Sequence, residues 1–341
     1  MATLPRFGIW YDFRNPQQWQ KPLGRMYAEY LDQIEMAETL GFRSVWLTEH
    51  HFQPDQYASS PLTIAAAVSQ RTKTMQIATD LMVLPLHDPV RLAEDVATIS
   101  ILSNGRFDLG VGVGYRPKEF EQFGQEMRFR PSLIEEGVEI LRRAWSGETV
   151  DFQGKRYTVH DHPITPHPER TPKIYIGGLA DPAVERAARI GDGFIPSSTI
   201  GVDHYLKSFA ALGKDPANAV VMHGSWSIIA PDPEEEARRV GPHAMYQTNI
   251  YRSWGVWGAD QTAPFATPAE ALEGGLYEVW DADMAVRRLQ ALIDQYPQIK
   301  DIHFWAQLPG EPVEAGNRRL EYMAKEVFPR LKPSSGPLRP E

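Results

Sequence analysis

Two adjacent histidines follow an acidic residue at the end of a short apolar run. The run is Ser44–Thr48, and the next residues are Glu49, His50 and His51. Neighbouring residues on a strand point to opposite faces, so the two histidines are not expected to bind one metal ion. A histidine at a strand exit beside a carboxylate can transfer protons near neutral pH. His50 and Glu49 are therefore predicted to be catalytic, and a pair of hydrogen-bonded structural histidines is the alternative.

The next two apolar runs, Met75–Leu84 and Phe107–Val113, contain or directly precede a carboxylate and three glycines. Asp80 interrupts Met75–Leu84, and a buried carboxylate must find partners or take a proton. An aspartate that only caps local amides is the alternative. Gly110, Gly112 and Gly114 alternate, which allows close approach of a ligand or of a neighbouring strand. Because this run does not open a strand–turn–helix unit, it does not indicate a dinucleotide-binding fold.

A further pair of glycines precedes a segment with a helical pattern. Gly177 and Gly178 end the run Lys173–Gly177, and Pro182–Ile190 follows. Backbone amides at such a turn bind phosphate well. A tight turn without a ligand explains the same residues. The motifs together favour acid–base chemistry and a ligand that carries phosphate.

Eight apolar runs alternate with amphipathic segments along the chain. This alternation predicts parallel strands with right-handed crossovers, and eight such units close best as a (β/α)8 TIM barrel of the α/β class. A doubly wound open sheet normally has a glycine-rich turn after its first strand, and residues 10–20 contain none. The predicted strands are Phe7–Phe13, Ser44–Thr48, Met75–Leu84, Phe107–Val113, Lys173–Gly177, Gly193–Pro196, Val220–Ile229 and Ile302–Ala306. The predicted helices include Pro61–Arg71, Pro89–Leu102, Leu133–Trp145, Pro182–Ile190, Tyr205–Leu212 and Ala285–Ile293.

Two segments depart from the alternation. Residues 149–158 suggest a small hairpin. From about Gly241 to Tyr277 neither helical nor strand periodicity holds, and the segment contains Trp254 and Trp257. We predict a long, folded insertion before the last strand that covers a pocket or forms a dimer contact. Residues 1–332 are predicted to form a single domain and residues 333–341 a flexible tail.

Charge and composition exclude several functions. The formal net charge of −9 argues against a nucleic-acid or anionic-membrane partner. Without cysteine, the chain has no disulfide, thiolate metal site or cysteine nucleophile. No apolar run approaches the ~20 residues needed to cross a bilayer, and no apolar leader is visible, so a cytoplasmic location is expected. The first strand lacks the His-x-His of a barrel hydrolase, and no metal site is predicted.

Several segments, in this order, resemble the bacterial-luciferase-like flavin-dependent monooxygenase family. The likeness covers almost the whole chain, and the LSNGRFDLGVG run is its most specific part. The segments are Val45–Phe52, Leu84–Asp95, Leu102–Gly112, Glu119–Phe120, Phe123–Gly124, Ile176–Gly178, Gly191–Phe194 and Val327–Lys332.

The resemblance implies a barrel, usually a homodimer, that uses reduced FMN or a deazaflavin. In two-component FMN members a separate flavin reductase supplies the reduced flavin, and O2 then oxidises a small organic substrate. By position, His50 matches the family's catalytic histidine. Asp80–Leu81 matches a non-proline cis peptide beneath the isoalloxazine ring.

Val113 departs from the family pattern, because luciferase has a phosphate-binding arginine there. The resemblance then implies that the phosphate rests mainly on backbone amides around Gly178, with the Tyr115 hydroxyl adding a contact. The expected cofactor-binding residues are Asp80, Leu81, Gly112, Val113, Tyr115, Gly177, Gly178, Leu179, Ala180 and Ser197.

The resemblance leaves three functions open. An FMN-dependent monooxygenase acting on a small apolar substrate is preferred, because Glu49-His50-His51-Phe52 is commoner in the FMN branch. A deazaflavin-dependent oxidoreductase that transfers hydride without oxygen is the first alternative. A non-catalytic flavin-binding protein is the second, and the retained Glu49 and His50 weigh against it.

Overall fold

The computed structural model describes residues 3–274 and 276–334. Each of its eight main strands hydrogen-bonds to the next, and the last also pairs with the first. The fold is therefore a closed (β/α)8 barrel, which confirms the predicted fold class. Most of the predicted tail, residues 335–341, lies outside the described residues. The strands are β1 (Arg6–Tyr11), β2 (Ser44–Leu47), β3 (Gln76–Thr79), β4 (Phe107–Gly112), β5 (Ile174–Gly177), β6 (Gly193–Ile195), β7 (Val221–Ser225) and β8 (Ile299–Trp305).

Helices alternate with these strands. No helix within residues 3–274 and 276–334 is both long and apolar enough to cross a membrane. The helices are α1 (Leu23–Thr39), α2 (Pro61–Arg71), α3 (Pro89–Leu102), α4 (Pro117–Gln122), α5 (Arg130–Trp145), α6 (Asp181–Ile190), α7 (Val202–Ala211), α8 (Pro233–Ser253), α9 (Pro268–Glu273), α10 (Ala282–Gln295) and α11 (Val313–Tyr322).

Helix α8 corrects one prediction. The sequence indicates no regular element from about Gly241, yet α8 continues through that residue and through Pro242 to Ser253. The buried residues of α8 recur at steps of three and four, but several are polar, including Gln247 and Thr248. Polar residues on the buried face hide the helical period from a search for apolar spacing.

Two predicted strands are each divided in the structure. Within Met75–Leu84, β3 ends at Thr79 and a two-residue strand, Met82–Val83, follows. Within Val220–Ile229, β7 ends before Trp226, and Ser227–Ile229 pairs in parallel with Glu278–Trp280 in a separate sheet. A bounded apolar run therefore marks a strand but does not reveal a break inside it.

The predicted hairpin is present and longer than expected. Thr149–Gln153 pairs antiparallel with Thr158–Pro163. Its first strand alternates exposed and buried side chains, which is the pattern of a strand with one face on the core.

The chain divides into two compact units. The first contains Gln53–Tyr57, the described residues up to Val45 and the described residues from Met222 onward. The second contains Trp46–Phe52 and Ala58–Val221.

In the second unit, β3 and β4 approach each other closely at a glycine. A Cβ atom at Gly110 would lie 1.9 Å from the carbonyl oxygen of Thr79. The Thr79 hydroxyl also donates to the Gly110 carbonyl at 2.8 Å and accepts from its amide at 2.9 Å. Gly110 is therefore required where β3 ends.

In the first unit, a fully buried arginine joins two carboxylates. Arg14 Nε lies 3.0 Å from Asp12 Oδ2, and Arg14 Nη1 lies 2.7 Å from Asp55 Oδ2. Two side chains of α8 complete the cluster, since Gln247 donates to Asp12 at 2.9 Å and Tyr246 donates to Asp55 at 3.0 Å. The cluster ties α8 to the residues that follow β1.

We expect Arg14→Met to lower the free energy of unfolding by about 3–5 kcal/mol, because it leaves Asp12 and Asp55 buried without their cation. Urea denaturation followed by circular dichroism measures this. Arg143→Met is the matched control, since Arg143 pairs with Glu139 on an exposed helix surface and should cost less than about 1 kcal/mol. Equal losses in the two variants would contradict the role given to Arg14.

Candidate active site

His50 lies between a carboxylate and a phenol in the second unit. His50 follows β2 in the chain, and its side chain is buried. Nδ1 of His50 lies 3.0 Å from Glu119 Oε1, and Nε2 lies 3.0 Å from the Tyr115 hydroxyl. Tyr115 follows β4, and Glu119 lies on α4. The exits of β2 and β4 therefore place an acid, an imidazole and a phenol in one hydrogen-bonded chain.

Glu119 is fully buried and receives several donors on one oxygen. Besides His50, its Oε1 accepts the His51 amide at 2.9 Å and Arg116 Nη1 at 2.6 Å. Burial alone raises the pKa of Glu119, but the hydrogen bond and charge of His50, with Arg116, outweigh it and lower that pKa. Glu119 is therefore ionised and acts only as an acceptor.

Glu49 faces a different set of donors. Its carboxylate accepts the Val83 amide at 2.6 Å and lies 2.8 Å from His87 Nε2 and 3.3 Å from His51 Nε2. Burial raises the pKa of Glu49, but His87 and His51 reverse this and hold that pKa far below its ordinary range. These contacts fasten the end of β2 to the segment after β3, and a catalytic role for Glu49 stays a prediction.

The Asp80–Leu81 peptide is cis, as the resemblance implies. It lies between β3 and Met82–Val83, and the Asp80 amide donates to the Leu47 carbonyl at 2.8 Å. Two glycines make room for the Leu81 side chain. A Cβ atom would lie 2.5 Å from Leu81 Cδ1 at Gly177 and 3.0 Å from it at Gly112.

We call the Asp80–Leu81 peptide with Gly112 and Gly177 the platform. Asp80 and the two glycines are buried, and Leu81 is half-buried. The family resemblance implies that the ring system of a flavin or deazaflavin lies against this segment, and this stays a prediction.

The other expected cofactor residues lie at the neighbouring strand exits. Gly178 and Val113 are half-buried, and Ser197 is exposed. Leu179 and Ala180 are exposed before α6, whose first turn holds Asp181 and the imino residue Pro182. A carboxylate and a missing N–H weaken a helix N-terminus as a phosphate site, so the amides before α6 are the better donors. The hydroxyl of Tyr115 is hydrogen-bonded to His50, and its expected contact with the phosphate stays a prediction.

The partners of His50 and Glu49 are not visible in the sequence. Glu119 belongs to a segment of the family resemblance, but it lies 69 positions from its partner His50. His87, the partner of Glu49, lies in another such segment and has no signal of its own. A buried carboxylate needs donors, but the sequence does not say which residues the fold brings to it.

The hydrogen-bonded chain of Glu119, His50 and Tyr115 and the Asp80–Leu81 peptide lie at the exits of β2, β3 and β4, the end of the barrel at which active sites of this fold lie. Residues 5–293 match the model of the luciferase-like monooxygenase family. The chain belongs to this family, which confirms the resemblance found in the sequence.

Several curated relatives are named as F420-dependent enzymes. An F420-dependent glucose-6-phosphate dehydrogenase of Amycolatopsis mediterranei is 34% identical over 191 residues, 54% of this chain and 57% of that protein. The matches to several curated relatives span only about half of their length.

Solved structures share the fold over nearly the whole chain. Monooxygenase RslO1 from Streptomyces bottropensis has a TM-score of 0.80 at 24% identity, covering 95% of this chain and 99% of its own. The oxygenating constituent of 3,6-diketocamphane monooxygenase from Pseudomonas putida, in complex with FMN, has a TM-score of 0.77 at 20% identity, covering 97% and 99%. At these identities the likeness concerns the fold.

The Glu49–His87 pair predicts a pH dependence of stability. Burial lowers the pKa of His87, but the Glu49 charge and hydrogen bond outweigh this and raise it. Stability from His87 is therefore fully present below its unfolded pKa of about 6.5 and is lost as pH rises through the folded value. Stability from Glu49, whose pKa is lowered, is present above about pH 4.5 and is lost as pH falls.

We expect His87→Gln to be less stable than the parent protein by on the order of 1 kcal/mol near pH 6. The difference should shrink as pH rises above about 6.5, where the unfolded chain no longer binds this proton, and should disappear above the raised pKa of His87 in the folded protein. Urea denaturation at several pH values from 5 to 9 measures it. His160→Gln, at an exposed position of the hairpin, is the control. A difference that is constant over the whole range would contradict the charged pair.

Proposed function

We propose that this protein is a reduced-FMN-dependent monooxygenase that acts with O2 on a small, apolar organic substrate. The observation that carries the choice of an apolar substrate is the exposed aromatic pair Phe52 and Phe123, which lies in the same unit as the chain from Glu119 through His50 to Tyr115. The membership of the luciferase-like monooxygenase family supports a flavin-type cofactor. A flavin bound on the platform would supply the two-electron chemistry.

The residues of the site then have distinct tasks. Leu81, held against Gly112 and Gly177, supports one face of the ring system. His50 holds or releases a proton at Nε2, since Nδ1 faces a carboxylate. Amides around Gly178 bind the phosphate. We also propose a separate flavin reductase as partner, a homodimer and a cytoplasmic location, on the family resemblance alone.

An aromatic rim beside His50 supports an apolar substrate. Phe52 and Phe123, whose ring centroids are 5.6 Å apart, are 47% and 41% exposed. Large aromatic side chains at such exposure mark a contact surface for an apolar molecule. Arg116, which donates to the His51 carbonyl, is already paired with Glu119. The rim suits a hydrocarbon or ring compound better than a phosphorylated sugar.

A deazaflavin-dependent oxidoreductase is the second candidate. The observation that favours it is the similarity to relatives named as F420-dependent dehydrogenases. The platform and the His50 chain would serve a deazaflavin equally, since both cofactors present a flat tricyclic ring.

Cofactor titration separates the two candidates. We expect reduced FMN, added anaerobically and followed by absorbance, to bind with micromolar or better affinity. With a flavin reductase, NADH and O2, an oxygenated product should form. Tight binding of F420 together with no affinity for reduced FMN would replace the first candidate by the second. Binding of neither cofactor would contradict both.

The platform gives a sharper form of this experiment. We expect Gly177→Val to weaken reduced-FMN binding at least about tenfold, a change of about 1.4 kcal/mol, because its Cβ would displace Leu81. Gly24→Ala is the control, since a Cβ atom there meets nothing within 4 Å. Unchanged affinity in Gly177→Val would show that the cofactor binds elsewhere.

A further inference from the structure

The imidazole of His50 is less accessible than the phenol beside it. The side chain of Tyr115 is 37% exposed, whereas His50 is 7% exposed. A molecule that approaches this strand exit therefore meets Tyr115 before it meets His50. The hydrogen bond from the Tyr115 hydroxyl to Nε2 connects the two groups at 3.0 Å.

Glu119 determines which nitrogen of His50 changes its protonation. An ionised carboxylate only accepts hydrogen bonds, so Nδ1 carries a proton whether the ring is neutral or charged. Nε2 holds a lone pair in the neutral ring and a proton in the charged ring. The Tyr115 hydroxyl can donate to the first and accept from the second without moving.

We propose that Tyr115 is the catalytic residue that contacts the substrate oxygen, that His50 is its proton partner and that Glu119 is a positioning residue. In the acid direction, the Tyr115 O–H bond breaks as its proton passes to the substrate oxygen. The Nε2–H bond of charged His50 breaks in the same step and restores the phenol. In the base direction both transfers run in reverse. One proton is gained and one lost at Tyr115, and no electrons move along the chain.

The surroundings of Tyr115 define the class of substrate. The rings of Phe52 and Phe123 are apolar and exposed. Both pack against the ring of His51, the residue next to His50, at centroid distances of 5.9 and 4.7 Å. A phenol beside such a rim suits one hydroxyl or carbonyl oxygen on an apolar, ring-shaped body. This step rests on the proposed function, because it assumes that a redox cofactor on the platform acts on that substrate.

The tautomer of His50 tests the role of Glu119 without turnover or cofactor. Nitrogen-15 NMR of the imidazoles reports which ring nitrogen is protonated, and His50→Gln identifies the His50 signals among ten histidines. We expect neutral His50 to carry its proton on Nδ1. In Glu119→Gln the side-chain amide can donate to Nδ1, and the population with Nε2–H should rise. An unchanged tautomer in Glu119→Gln would overturn the positioning role.

The same spectra test the contact with Tyr115. In Tyr115→Phe the hydrogen bond to Nε2 is lost, so the Nε2 signal should shift while Nδ1 keeps its proton. Tyr322→Phe, on α11 in the other unit, is the control and should leave both signals in place. No shift in Tyr115→Phe would overturn the proton chain.

Turnover tests the catalytic role, with cyclohexanone as the probe of an apolar ring that carries one oxygen. We expect Tyr115→Phe to lower kcat by about 10²–10⁴-fold while cofactor affinity changes less than threefold. The solvent deuterium isotope effect on kcat should also change, since the proton then follows another route. Parent-level kcat and isotope effect in Tyr115→Phe would overturn the role, and no turnover of cyclohexanone by the parent protein would overturn the substrate class.

Failure of this proposal differs from failure of the proposed function. If the parent protein binds neither reduced FMN nor F420, the proposed function is wrong whatever the spectra show. If it binds and turns over with either cofactor but Tyr115→Phe behaves like the parent, only the role of Tyr115 is wrong.

Discussion

A carboxylate taken out of water must recover its hydrogen bonds inside the protein, and this requirement shapes the candidate site. Glu119 accepts hydrogen bonds from the side chain of His50, the backbone amide of His51 and the guanidinium of Arg116. It thereby fixes the end of β2 against the helix that follows β4. The orientation of His50 and the direction of Nε2 towards the Tyr115 hydroxyl are consequences of the same contacts. Glu49 acts in the same way on the segment after β3, through the Val83 amide and His87.

The second constraint is the space between neighbouring strands. Glycines provide it because they have no side chain. The close approach of β3 and β4 at Gly110 leaves no room for a side chain. The Asp80–Leu81 peptide follows β3 directly, and the Leu81 side chain lies against Gly112 and Gly177. Since β3, β4 and β5 are adjacent, one glycine from each of two neighbouring strands is enough to receive that leucine. The alternating glycines, which had two interpretations in the sequence, serve strand packing at Gly110 and the platform at Gly112.

Local signals explain which elements the sequence could predict. Helices α2 and α3 have the predicted bounds, because each begins with a proline at its first turn and Asp88 caps α3 through the amides of Val90 and Arg91. The periodicity of the sequence does not predict helix α8, because polar side chains of this helix face the core. These side chains bond Asp12 and Asp55, which lie far away in the sequence. The sequence indicates His50 as a candidate acid–base residue from its position at a strand exit, and this role stays a proposal. Its partners were not, since only the tertiary fold brings Glu119 and Tyr115 to it.

The proton chain and the cofactor are separable parts of the site. Glu119, His50 and Tyr115 move a proton without moving electrons, so their geometry serves oxygen insertion and hydride transfer alike. The platform does not discriminate between the two cofactors either. A leucine side chain and bare backbone would support the ring of a flavin and that of its deaza analogue equally. The preference for an apolar substrate that we propose rests on exposed Phe52 and Phe123, which pack on His51 beside His50 in the sequence. A phosphorylated sugar needs cations there, and Arg116 is committed to Glu119. Shared ancestry with F420-dependent sugar-phosphate dehydrogenases is therefore compatible with a different substrate, and this local chemistry is the physical reason for preferring an apolar one.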